Sequence, residues 1–122
     1  MNKKIPAIAL SVLTSTAAYA EEKIDKSLLI GDWCYKSIIA KGSSEPKNIN
    51  TEWVFFDNGK VEIQSEWMRS KKSTLPYEVE KSRIIIPKMN KKYEVDRLTG
   101  SEMLLVNVHG SSKNAFSRGK CD

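Results

Sequence analysis

Two cysteines, Cys34 and Cys121, are the only ones in a chain of 122 residues, and they stand near the two ends of everything that can fold. Whether they bond depends on compartment, and the first 20 residues bear on that. Met1-Asn2-Lys3-Lys4 is a positive start, an apolar run extends from Ile5 to Ala18, and Ala18-Tyr19-Ala20 is a small-x-small exit before Glu21-Glu22-Lys23. That order is the layout of a cleavable secretory signal peptide. The run is shorter than the ~20 residues of a spanning helix and is diluted by Pro6, Ser11, Thr14 and Ser15, so a retained anchor is the weaker reading. No cysteine at the exit offers a lipid attachment point. The expectation is a protein of the bacterial periplasm, with residues 1–20 removed and residues 21–122 forming one domain.

In an oxidising compartment an isolated cysteine pair is most simply a disulfide. Bridging positions 34 and 121 closes a loop of 88 residues, which chain-entropy reasoning values at roughly 4.6 kcal/mol. It also requires the first and last strands to lie within disulfide reach. A redox or metal-binding role for these thiols lacks support, because there is no Cys-x-x-Cys and His109 is the only imidazole.

Removing 20 residues leaves 102, enough for one core and too few for a two-domain cofactor enzyme. The formal charge of +5 becomes +3 without Lys3 and Lys4. An excess that small is no nucleic-acid footprint unless the cations gather on one face. With 40% hydrophobic and 29% charged residues the chain reads as an ordinary globule. After the leader no apolar stretch approaches membrane length, so the sequence predicts neither a nucleic-acid nor a membrane partner.

From 21 to 29 the pattern is mixed and charged, a short helix or lead-in. Beyond it the chain reads as strands separated by turns. Val61, Ile63, Ser65 and Trp67 alternate with Lys60, Glu62, Gln64 and Glu66, a period of two that marks a strand with one wet face. Asp57-Asn58-Gly59 ahead of it is a tight hairpin signal. Eight strands follow by the same reasoning, at 31–40, 51–56, 60–67, 74–80, 83–86, 92–98, 102–108 and 113–120. Short connections favour an antiparallel meander, and a meander of eight strands removes its unpaired edges by closing. The expected fold is all-β, a small eight-stranded barrel with one disulfide joining its first and last strands. A two-sheet sandwich is the alternative.

Gly31-Asp32-Trp33 at the start of the first strand and Arg118 in Phe116-Ser117-Arg118 of the last resemble the structural signature of lipocalin-like (calycin) barrels. The resemblance covers about residues 28 to 121. It implies that Trp33 packs across one barrel end with Arg118 stacked over it, and that the protein carries a small apolar ligand. At 102 residues the strands are too short to surround a deep pocket, which weighs against that carrier role. By size and compartment the chain also resembles periplasmic lysozyme inhibitors and immunity proteins.

Trp33, Trp53, Trp67, Phe55, Phe56, Phe116 and Tyr77 are expected to fill the barrel, whose interior at eight strands is just wide enough for side chains. Catalysis has little to stand on: His109 has no triad context, and Glu62, Glu66, Glu78 and Glu80 fall on wet strand faces. No cofactor or metal is expected. The surface is what remains. Trp67, Met68, Arg69, Lys71 and Lys72 combine the residue types that most often anchor protein interfaces; the plainer reading is a solvated basic turn with Trp67 in the core. A second candidate is the polar tip His109, Ser111 and Ser112, and a third the long loop 41–48. The expected function is a non-enzymatic periplasmic module that occludes the active site of a cell-wall-degrading enzyme. Its charge suits an acidic or neutral partner, and homodimerisation stays open.

Overall fold

The computed structural model describes residues 23–122; the expected leader, residues 1–20, lies outside them. One helical turn, α1 (Lys26–Leu29), precedes nine strands. Asp25 caps α1, accepting from the Ser27 amide at 3.0 Å. The strands are β1 (Gly31–Ile39), β2 (Lys47–Phe55), β3 (Lys60–Gln64), β4 (Lys72–Pro76), β5 (Glu78–Glu80), β6 (Arg83–Ile86), β7 (Lys91–Leu98), β8 (Glu102–Asn107) and β9 (Lys113–Arg118). A 3-10 turn (Pro87–Met89) joins β6 to β7.

All nine form one antiparallel sheet in the order β4-β3-β2-β1-β9-β8-β7-β6-β5, which curls into a nearly closed barrel. The sandwich alternative therefore falls away. β1 pairs with β9, Trp33 opposite Arg118 and Tyr35 opposite Phe116. Cys34 is bonded to Cys121, three residues past β9, with Cα atoms 5.0 Å apart. The expected bridge thus joins the first and last strands.

Pairing of the chain's ends moves the seam of the barrel to its middle. The expected strand 74–80 is divided at Tyr77: residues before it pair with β3, Lys60 opposite Pro76, and residues after it pair with β6, Glu78 opposite Ile85. Pro76 has no amide hydrogen to donate, and the Tyr77 amide donates to the Gly59 carbonyl at 2.9 Å. One bent segment hands its hydrogen bonds from one neighbour to the other, so eight expected strands become nine. β2 also starts earlier than expected, at Lys47, with Asn50 at φ +63° beside the bulge that falls between Tyr35 and Ser37 of β1.

Period-two alternation places Thr51, Trp53 and Phe55 of β2, Met103 and Leu105 of β8, and Phe116 of β9 inside, all buried. Trp53 is the hub: its ring centroid lies 5.0 Å from Phe116, 5.8 Å from Tyr35, 6.1 Å from Phe55 and 6.4 Å from Tyr93. Two residues expected in this core are not there. Phe56 is 39% exposed and Trp67 92% exposed. Phe56 follows inward-facing Phe55 and so points outward, and Trp67 lies beyond the end of β3.

The end of the barrel beside α1 is shut. Leu29 and Trp33 are wholly buried, and the Trp33 indole donates to the Leu29 carbonyl at 2.8 Å. The Arg118 guanidinium lies 3.9 Å from the Trp33 ring centre. It donates to the carbonyls of Ile30 (2.9 Å), Gly100 (3.2 Å) and Leu28. Gly31 makes room for it: φ is +124°, and a Cβ there would come within 2.9 Å of Arg118 Nη1. The glycine of the Gly-x-Trp sequence is thus called for by its backbone angle, and the arginine end that crosses above it leaves little room for a side chain.

Candidate functional site

Because every strand pairing is antiparallel, alternate connections emerge at opposite ends. Four of them, residues 40–46, 65–71, 87–90 and 108–112, lie at the end away from α1. In the strand order they are spaced around the rim, with 65–71 and 108–112 on opposite sides. All three loops singled out from the sequence therefore open at one end.

The loop 65–71 breaks the alternation that continues β3 to Trp67 in the sequence reading. The Ser65 hydroxyl accepts from the amides of Trp67 (3.2 Å) and Met68 (3.1 Å), which ends the strand and starts a turn. The Ser65 amide donates to Lys71 O at 2.9 Å, the Lys71 amide to Met68 O at 2.8 Å, and Gln64 Nε2 to Arg69 O at 2.8 Å. Gln64 is itself held, since its Oε1 accepts from the Glu52 amide at 2.9 Å. The turn is short and internally bonded, and Trp67 stands out from its tip. Met68 is 56% exposed, and Arg69, Lys71 and Lys72 are exposed. The strand reading of 60–67 is corrected by this, and so is the reading of Trp67 as a core residue. Ser65, a turn former, is the one local signal that could have indicated it.

Across the rim, Asn107 organises the second candidate loop. Its side chain accepts from the His109 amide at 2.9 Å, and its carbonyl accepts from the Ser111 amide at 3.0 Å. His109 and Ser111 are exposed and Ser112 half-buried. Ser111 and Lys113 share a shallow cleft of about 370 Å³ with residues 39–44 of the first loop. The structure thus brings the second and third candidates together and leaves the Trp67 loop apart from the His109 loop.

The sequence shows only a mild positive excess with no visible order, and the structure sorts it. Lys41 lies in the first loop and Lys47 starts the strand after it; Arg69 and Lys71 lie in the second and Lys72 starts the strand after that. Lys88 lies in the 3-10 turn, Lys91 and Lys92 start the strand after it, and Lys113 follows the last loop. Against these nine cations the loops with the strand starts that follow them, residues 40–47, 65–72, 87–92 and 108–113, hold only Glu45 and Glu66, a net of +7. The rest of residues 23–122 has nine Lys and Arg against eleven Asp and Glu, a net of −2. The ion pairs Arg83–Glu94 at 2.9 Å and Arg97–Glu102 at 3.1 Å use none of the nine.

Beneath the rim lies a floor of buried polar groups. Tyr35 donates its hydroxyl to Asn114 Oδ1, and Asn114 Nδ2 donates to Leu105 O at 3.0 Å and Ser112 O at 3.3 Å. The Thr51 hydroxyl is buried with no partner among the described residues. Burial, reinforced by the negative charge of Glu66, pushes the Tyr93 phenol up to about 12. Burial also raises Tyr35, with Tyr93 and Glu66 adding to it. Both groups keep their protons in the fold at a pH where the unfolded chain, near pKa 10, has begun to release them. Their contribution is therefore complete below pH ~10 and is lost as pH rises toward 12. For Tyr93 two units correspond to roughly 3 kcal/mol. An alkaline titration followed by circular dichroism and phenolate absorbance is expected to show unfolding coincident with phenolate formation; phenolates appearing near pH 10 with the fold intact would contradict this.

Among the described residues no group of three or more His, Cys, Asp or Glu is placed to hold a metal. The single imidazole, His109, sits on an exposed loop, and its backbone amide makes the bond given above. Compared with known proteins, the chain matches no family model, no curated protein and no solved structure.

Proposed function

We propose that this protein is a non-catalytic binding module of the periplasm, an inhibitor or immunity-type protein whose loop end occludes the cleft of a cell-wall-degrading enzyme. The observation that carries the reading is Trp67, 92% exposed at the tip of a turn that its own hydrogen bonds hold in place. A large aromatic kept in water has no folding role, and a pre-ordered tip loses little entropy when it enters a partner. The close-packed rings around Trp53 support occlusion over carriage, because they occupy the space an apolar ligand would need. The Arg118–Trp33 stack supports reading the scaffold as lipocalin-like. The cationic rim supports an acidic partner surface.

The test is inhibition of purified peptidoglycan hydrolases, acidic ones among them, measured as the clearing of isolated cell walls. The wild-type protein is expected to stop at least one. Trp67→Ala and Arg69→Glu are each expected to raise the concentration for half inhibition by on the order of tenfold or more, as loss of an interface anchor does. Their melting temperatures should stay within a few degrees of wild type, because an alanine in place of Trp67 keeps the backbone amide that donates to Ser65. Equal inhibition by both variants would remove this loop from the mechanism.

A further inference from the structure

We infer that the loop end is also a peripheral docking face for a bilayer rich in anionic phospholipid. This goes beyond the occlusion reading and does not rest on it. Three observations converge. The end has a net charge of +7 while the remainder of the described chain has −2, so an anionic plane would orient the barrel with this end down. The cations lie within or next to all four loops around the rim, four in the loops and five in the first one or two residues of the strands that follow them. A cleft engages one loop, whereas a flat charged surface engages every loop together. The apolar residues also segregate: of the four large hydrophobics exposed among the described residues, Trp67, Met68 and Val108 are at this end and only Phe56 is elsewhere. They sit on the two loops on opposite sides of the rim. Trp is the side chain that settles at the headgroup level of a membrane, with its ring partly apolar and its N–H wet. Lys and Arg around it would meet lipid phosphates.

The sequence-based expectation of no membrane contact rests on the lack of a long apolar stretch. Peripheral docking needs none; it needs charge and a few insertable side chains on one face, which only the folded rim assembles. A barrel held this way has its occluding tip turned into the headgroups, so lipid and protein partner would compete for it.

The protein supplies its own reporter. Trp33 and Trp53 are buried at 0% and 3% exposure, so a change in emission on adding vesicles would come from Trp67. The probe is vesicles of phosphatidylglycerol and phosphatidylcholine mixed, set beside pure phosphatidylcholine, with co-sedimentation and tryptophan emission read together. Mixed vesicles are expected to bind at least about tenfold more tightly than neutral ones, and binding should weaken steeply with added salt. Emission should move to shorter wavelength on binding. Trp67→Ala should abolish that shift, and Lys71→Glu with Lys72→Glu should weaken binding by on the order of tenfold. Equal binding to both vesicle types overturns the proposal. So does binding without an emission shift, which would mark a site for polyanions or acidic proteins instead. So does a shift that persists in Trp67→Ala. Hydrolase inhibition measured without lipid is independent of all these outcomes, so the two readings fail separately.

Discussion

Removing the Cys34–Cys121 bridge, by reductant or by Cys34→Ala with Cys121→Ala, is expected to lower stability by roughly 4.6 kcal/mol. The bridge spans a sequence separation of 87, nearly the whole folded chain, so without it the unfolded ensemble regains most of its end-to-end freedom. For a domain of this size that corresponds to a fall in melting temperature on the order of 20 °C, read by thermal circular dichroism with and without reductant. Cys34 is 1% exposed, so access for a reductant is through half-buried Cys121. β1 and β9 already pair through six residue pairs from Lys113 to Arg118, and the bond adds a covalent tie just past the last of them. A change of only a few degrees would mean that this pairing holds the ends together by itself.

Trp33→Ala is expected to cost about 3–5 kcal/mol, the range for emptying a buried aromatic site. Arg118→Ala is expected to cost on the order of 3 kcal/mol, because it uncovers the Trp33 ring and strips the carbonyls of Leu28, Ile30 and Gly100 of a charged donor. The two losses should not add. Once either partner is gone the stack is gone, and the double variant should be more stable than the sum implies by on the order of 1 kcal/mol. Arg118→Lys should rescue little, since an ammonium lacks the planar fork that reaches several carbonyls while lying flat on an indole. Full rescue by lysine, or strict additivity, would show that the stack contributes charge alone and no closure of the barrel end. Chemical denaturation of the wild type, both single variants, the double variant and the lysine variant distinguishes these cases.

Most strands are legible in the sequence because alternation is local. Val61 and Ile63, or Trp53 and Phe55, announce an inward face without reference to anything distant, and Asp57-Asn58-Gly59 announces its hairpin through Gly59, which adopts φ +83°. The same rule misplaces Trp67. The alternation runs on through Ser65, but a hydroxyl that accepts from two following amides ends the strand, and that local competition is invisible to a count of apolar positions. The division at Tyr77 is hidden for a related reason: the segment reads as one strand, and its change of partner depends on where β3 and β6 arrive.

The sequence alone determined the all-β character, the hairpin at Asp57-Asn58-Gly59 and the pairing of its two cysteines, because each follows from spacing or from residue chemistry; the Trp33–Arg118 closure of one end was implied only by resemblance. Only the tertiary structure decided that four separate loops share one rim and that nine cations gather there with Trp67, Met68 and Val108. Those residues are scattered along the chain between positions 41 and 113. What unites them is the antiparallel order of the strands beneath, a long-range pairing that no local pattern contains.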